Sequence, residues 1–329
     1  MKNIVILATG GTIAAVSQSV AATTAYQSGI VPIAELLNEI RPLTNLANIT
    51  SEQVAQIDSA DMSHELWLFL ANRINSLLQQ PDVDGIVLTH GTDTMEETAY
   101  FLNLVVNSDK PVVLVGAMRP STAISSDGPM NLYNAIVLAA SDAASGKGVL
   151  VALNDTVNSS RDVTKTNTAL QDTFKAPELG YLGYLIDGQP HFYRLPARKH
   201  TYLSEFRIDE LAILPKVHII YGYVDDGGAL VRAAVKDGAQ GIVYAGLGNG
   251  NMSQHMQKVF NEIRQQGVVV VRSTRVGNGV VTKNGAVDDD EYGFVAADTL
   301  SPQKARILLM LALTKTRQPD EIQKIFETY

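Results

Sequence analysis

The chain of 329 residues has a mass of 35.5 kDa, is 46% apolar and 18% charged, and contains 12 prolines, which excludes a disordered or low-complexity protein and leaves length for about two domains. Its 34 acidic and 26 basic residues give a net charge of −8 and a pI near 5.3. That balance argues against nucleic acid as a partner, because neutralising phosphates needs a basic face.

No cysteine is present, so disulfides and thiolate metal sites are excluded, and no apolar run approaches the roughly 20 residues that span a bilayer. The first apolar run, Ile4-Val5-Ile6-Leu7-Ala8, leads straight into a glycine pair. It lacks a full h-region and a cleavage site, and reads as a strand rather than a signal peptide. Further β-branched runs at 85–89, 111–115 and 148–153 read as strands buried on both faces. Between them, apolar spacing of three and four marks helices at 62–78, 96–106 and 130–144. This alternation predicts an α/β fold with a mostly parallel sheet and flanking helices over residues 1–190. Residues 191–215 are richer in charge, lack either periodicity and read as a linker. A smaller α/β domain with a parallel sheet is expected over 216–329, with strands at 217–221, 241–244 and 268–271, helices at 228–237, 252–265 and 301–313, and a short helix at 320–326.

In a parallel α/β sheet, ligands gather beyond the carboxyl ends of the strands. After the first strand, Gly10-Gly11-Thr12 combines glycines that permit close backbone approach with a hydroxyl; the alternative is a plain turn. After the strand at 85–89, Gly91-Thr92-Asp93 precedes a helix whose unpaired N–H groups suit an oxyanion; either polar side chain could instead cap that helix. Lys165 follows the strand at 148–153 among short polar residues. Alone it reads as a solvated lysine; near Asp93 it could exchange a proton with a hydroxyl, the activation that a weak threonine nucleophile needs.

Other chemistries have less support. The six histidines show no metal-ligand spacing, and G-x-S-x-G, H-E-x-x-H and P-loop patterns are absent. Gly246-Leu247-Gly248-Asn249-Gly250-Asn251 invites a dinucleotide reading, but its spacing is G-x-G-x-G and the acidic residue expected about 20 positions on is missing. The run Asp288-Asp289-Asp290-Glu291 reads as a solvated acidic loop rather than a cation site, since a calcium loop alternates its ligands around a turn glycine. No metal or cofactor is expected.

Taken together, ATGGTIA at 8–14 and THGTDTMEETAYFLNL at 89–104 resemble the two hallmark segments of bacterial-type L-asparaginases. The likeness continues through GAMRP at 116–120, SDGPMNLYNA at 126–135, RDVTKTNT at 161–168, LPKV at 214–217, AGLGNGN at 245–251 and QKARILLMLALTKT at 303–316. It is closest to the secreted, high-affinity type with its glutaminase-asparaginase members. The resemblance implies a threonine amidohydrolase that converts L-asparagine to L-aspartate and ammonia, with some glutaminase activity and no cofactor. It implies Thr12 as nucleophile, Tyr26 beside it on a closing lid, and Thr92, Asp93 and Lys165 as a second catalytic set. Ser59 would hold the substrate α-carboxylate and Asp93 its α-amino group, with Gly11 and Gly91 lining the site. Asn251 would reach the active site of a neighbouring subunit in a homotetramer of intimate dimers. The secreted likeness implies a periplasmic or secreted protein if the sequence is a mature form; the sequence as written, without a signal peptide, points to the cytoplasm.

Two positions depart from the family pattern. Ala60 stands where many members have glutamine and glutaminase-rich members an acidic residue, and Ala286 stands where a glutamate is usual. Asp288, Asp290 and Glu291 remain as possible substitutes for that glutamate. A noncatalytic amino-acid-binding protein, or an amidotransferase partner module, is the alternative; the latter carries an extra N-terminal domain, and the former leaves the joint presence of Thr12, Tyr26, Thr92, Asp93 and Lys165 unexplained.

Overall fold

The computed structural model of the protein describes residues 1–21, 23–40, 46–209 and 211–329. The chain divides into two compact units, Met1–Glu210 and Leu211–Tyr329.

The first unit is built on strands β1 (Asn3–Gly10), β2 (Asn48–Ile57), β3 (Gly85–Thr89), β4 (Val112–Val115), β5 (Val149–Leu153), β6 (Thr156–Ser159), β7 (Thr164–Lys165), β8 (Phe174–Lys175), β9 (Gly183–Ile186) and β10 (Gln189–Phe192). Eight of them form one sheet in the order β10-β9-β6-β5-β4-β3-β1-β2, while β7 and β8 pair separately. The run from β2 to β5 is parallel, and the remainder of the sheet is antiparallel. β3, β4 and β5 are buried along their whole length, which is why they read as continuous apolar runs. Helices α1 (Ile33–Glu39), α2 (His64–Leu78), α3 (Met95–Val105) and α4 (Gly128–Ala139) alternate with the parallel strands. α2 starts where the Ser63 hydroxyl accepts the Leu66 N–H, a cap worth about 1 kcal/mol. The helix begins two residues later than the periodicity alone placed it and ends where expected.

β2 was not foreseen, and its sequence shows why. NITSEQVAQI is an edge strand only partly buried, so it lacks the apolar run of its neighbours. β6 is buried throughout but polar in sequence, TVNS, and the hairpin β9–β10 alternates exposed with more buried residues. The segment expected to be a linker is folded into the first unit over much of its length: it begins within β10, and His200, Thr201, Ser204, Phe206 and Ile208 are buried. The Ser204 hydroxyl donates to the Leu104 carbonyl at 2.5 Å. Charge on the outward side chains masked these inward anchors.

The second unit carries β11 (Val217–Tyr221), β12 (Gly241–Gly246), β13 (Val269–Thr274) and β14 (Val295–Ala296) in a parallel sheet in that order. Its helices are α5 (Ala229–Lys236), α6 (Gln254–Gln265), α7 (Asp289–Tyr292), α8 (Pro302–Ala312) and α9 (Pro319–Thr328). α6 shows the cause of a one-sided helix plainly. Met256, Val259, Phe260 and Ile263 recur at helical spacing and are all buried, and the Ser253 hydroxyl caps the start by accepting the Met256 N–H. The acidic run is not a solvated loop: Asp289 is fully buried in an ion pair with Arg272. Among the described residues no helix is long and apolar enough to cross a membrane.

Candidate active site

The parallel part of the first sheet has the order β2-β1-β3-β4-β5. From β1 the chain moves outward to β2, then crosses back to add β3 on the other side of β1. The crevice beyond the carboxyl ends of β1 and β3 is therefore the topological switch point, where an open α/β sheet parts its loops and leaves room for a ligand.

Three loops converge there. Gly11 follows β1 with φ of +80°, and a Cβ on it would lie 2.3 Å from Gly91 Cα. Only glycine fits this contact, on grounds of both backbone conformation and space. A Cβ on Gly91 would in turn lie 2.6 Å from Ser59 Oγ, in the loop after β2. The two glycines thus bring the residues that follow them, Thr12 and Thr92, to one crevice.

Thr12 opens a single helical turn, Thr12–Ala14, and its Oγ1 lies 2.9 Å from Tyr26 Oη. Tyr26 is held by a short ladder: Val16 and Gln27 exchange both backbone hydrogen bonds, at 3.1 and 3.0 Å, and the Gly29 N–H donates to the Gly11 carbonyl at 3.3 Å. Ser59 is buried, and its Oγ accepts the Asp93 N–H at 3.2 Å. Its hydroxyl proton is left to donate, which suits a carboxylate. Ala60 is exposed beside it, its N–H taken by Asp58 Oδ1 at 3.0 Å.

Lys165 Nζ donates to Thr92 Oγ1 at 2.9 Å and to Asp93 Oδ1 at 2.6 Å. With its oxygen accepting from lysine, the Thr92 hydroxyl can turn its own proton into the crevice. The route by which Lys165 arrives differs from the expected loop after β5. An antiparallel hairpin through β6 intervenes, and Lys165 sits on the two-residue strand β7, which pairs with β8 in a sheet of two. Its backbone N–H donates to Glu96 Oε2 at 2.6 Å.

Behind the β3 loop lies a fully buried relay. Trp67 Nε1 donates to Thr98 Oγ1 at 2.8 Å, Thr98 Oγ1 lies 2.9 Å from His90 Nε2, and His90 Nδ1 lies 2.7 Å from the Gly91 carbonyl. Indole only donates and a carbonyl only accepts, so Thr98 donates to Nε2 and Nδ1–H donates to Gly91. Burial pushes the His90 imidazole down to about 4, so it is neutral. This network and Glu96 were not singled out in the sequence; the pairing of polar residues with an apolar helix face, in Trp67 and in Glu96 and Thr98 on α3, was the available signal.

Asn251 lies in the second unit. Its backbone exchanges hydrogen bonds with Leu247 at 2.9 and 2.6 Å, and its side-chain oxygen is buried with no hydrogen-bond partner among the described residues. The Gly-rich loop there is shaped by Arg272, whose Nη1 donates to the Asn249 and Gly250 carbonyls, both at 3.2 Å. Of the candidate substitutes for the missing glutamate, Asp288 caps α7 by accepting the Glu291 N–H at 2.9 Å, and Asp290 pairs with Lys283 at 2.6 Å. Lys283, and then Asn284, hold the Asp290 carboxyl below its usual range. Among the described residues no cluster of His, Asp or Glu is placed to hold a metal ion.

Comparison with known proteins matches residues 3–198 to the family model "Asparaginase, N-terminal" and residues 216–326 to "Glutaminase/Asparaginase C-terminal domain". L-asparaginase 2 of Bacillus subtilis (strain 168) is 54% identical over all of this chain and 87% of its own length. L-asparaginase 2 of Escherichia coli (strain K12) is 51% identical over all of this chain and 94% of its own. The crystal structure of a probable cytoplasmic L-asparaginase from Campylobacter jejuni superposes with a TM-score of 0.97 at 48% identity, covering 100% of both chains.

Proposed function

On the premise that this chain belongs to the asparaginase family, as the matches across both of its units establish, we propose that it is an amidohydrolase converting L-asparagine to L-aspartate and ammonia, with Thr12 as nucleophile and L-glutamine as a second substrate. The observation that carries the mechanism is the pair of hydroxyl contacts at the β1/β3 switch point: Thr12 with Tyr26, and Thr92 with Lys165.

Thr12 Oγ1 attacks the side-chain amide carbon while its proton passes to Tyr26 Oη, and the tyrosine proton passes to the amide nitrogen. The C–N bond breaks, ammonia leaves, and an aspartyl ester remains on Thr12. Thr92, held by Lys165, which pairs with Asp93, donates into the crevice during charge development, together with N–H groups of the two glycine loops. One such oxyanion donor contributes about 10² to 10³ in rate. Water then attacks the ester, its proton returns through the same tyrosine, and aspartate departs. Ser59 binds the α-carboxylate and Asp93 the α-ammonium.

The unpartnered oxygen of Asn251 supports a role in a neighbour's site. We place the working form as a homotetramer in which this side chain completes the crevice of an adjoining subunit.

Ammonia release is measured on L-asparagine and L-glutamine side by side, for the wild type and Thr12→Ala. Release from L-asparagine that the substitution abolishes supports the reading. Unchanged turnover in Thr12→Ala refutes the nucleophile, and stoichiometric binding without ammonia favours an amino-acid-binding protein instead.

A further inference from the structure

We propose that Glu96 is the positioning residue for Lys165, setting the ammonium against Thr92 and Asp93 through the Lys165 backbone; this rests on the role given to Lys165 above. Thr12, Thr92 and Asp93 owe their places to the parallel sheet, since each follows β1 or β3 closely. Lys165 has no such support. Among the described residues, the ladder partner of its two-residue strand is the equally short β8, through Thr164 with Lys175 and Lys165 with Phe174. A two-stranded ribbon of that length is not stable by itself, so its place must come from contacts to something rigid.

That contact is on α3. Glu96 stands in its first turn, and its side chain is buried, with 4% exposure for the residue. Its Oε2 accepts the Lys165 N–H at 2.6 Å. A buried carboxylate is costly unless hydrogen bonded, whereas an apolar residue would serve if this helix position only had to fill space. The helix N-terminus favours negative charge there, and a charge-assisted bond is shorter and stronger than a neutral one. Lys165 is thus tied twice to one short stretch of chain: its N–H to Glu96, and its Nζ to Thr92 and Asp93, four and three residues earlier. Loss of the backbone tie would free β7 to shift against α3, and a displacement of about 1 Å in a catalytic group costs about 10²-fold.

The test compares kcat and KM on L-asparagine for the wild type, Glu96→Met, Glu96→Gln and Lys165→Met. Methionine keeps the volume without a strong acceptor; Glu96→Ala replaces it should that variant fail to fold. Glutamine keeps an acceptor for the Lys165 N–H. Glu96→Met is expected to lower kcat by about 30- to 100-fold with KM within about threefold, and Glu96→Gln to remain within about fivefold of wild type. A Glu96→Gln enzyme as slow as Glu96→Met, or a Glu96→Met enzyme that loses thermal stability with kcat unchanged, overturns the proposal. Wild-type kcat in Lys165→Met would instead remove the role of Lys165 itself, a result read separately from the other two variants.

Discussion

Replacing His90 with glutamine should flatten the acid limb of this protein's stability. His90 is fully buried and its imidazole is pushed from 6.5 to about 4, so between those values the unfolded chain binds a proton that the folded chain refuses. Stability from this residue is complete above pH 6.5 and is lost as pH falls toward 4. Between pH 7 and pH 5 the loss is about 2 kcal/mol, out of the full difference of about 3.4 kcal/mol that the two values allow. For a unit of this size that is a shift in Tm of about 4 °C. Trp67 is the only tryptophan and belongs to the same relay, so its fluorescence during urea unfolding at pH 7 and pH 5, at one protein concentration, reports the unit concerned. Glutamine will cost stability at both pH values, but the drop between them should be smaller than in wild type by about 2 kcal/mol. Equal drops in the two proteins would refute a neutral, buried His90 as the source.

Tyr26→Phe should lower kcat on L-asparagine by about 10² to 10³ with little change in the fold, because it removes the hydroxyl that lies in contact with Thr12; steady-state ammonia assays with a matched circular dichroism spectrum decide it. Asp289→Leu should destabilise the second unit by about 3 to 5 kcal/mol, since it strands the fully buried Arg272. Arg272→Met combined with it should recover part of that loss, as thermal unfolding of the single and double variants would show. Ala60→Gln should restore a polar contact beside Ser59 and lower KM for L-asparagine by about tenfold, the equivalent of one hydrogen bond of about 1.5 kcal/mol; an unchanged KM would mean that the exposed position 60 does not face the substrate.

How much of this was legible in the sequence depended on what kind of neighbour each residue has. Gly11, Thr12, Gly91, Thr92 and Asp93 stand directly after strands whose apolar runs announce them, so the loops that carry them could be picked out before any coordinates, whereas the switch point between them depends on where β2 lies. β2 could not, because an edge strand lets NITSEQVAQI remain polar on much of its surface. Lys165 was legible as a residue but not as a place: its route runs through an antiparallel hairpin and a two-residue strand, neither of which leaves a periodic trace. Glu96 resembles any acidic residue in the first turn of a helix, and only burial separates it from a solvated one. Asp289 was hidden among three other acids, and its partner Arg272 lies 17 residues away. Sequence pattern records what each residue type prefers; it does not record which member of a charged run turns inward.

The central claim is that Thr12 carries the acyl group, and acid-quenched single turnovers followed by mass spectrometry test it most directly. With L-asparagine mixed rapidly with wild-type enzyme and quenched at successive times within the first turnover, the account predicts an aspartyl adduct confined to the peptide that contains Thr12. An adduct on Thr92 or elsewhere, with Thr12 unmodified while ammonia is released, would contradict it.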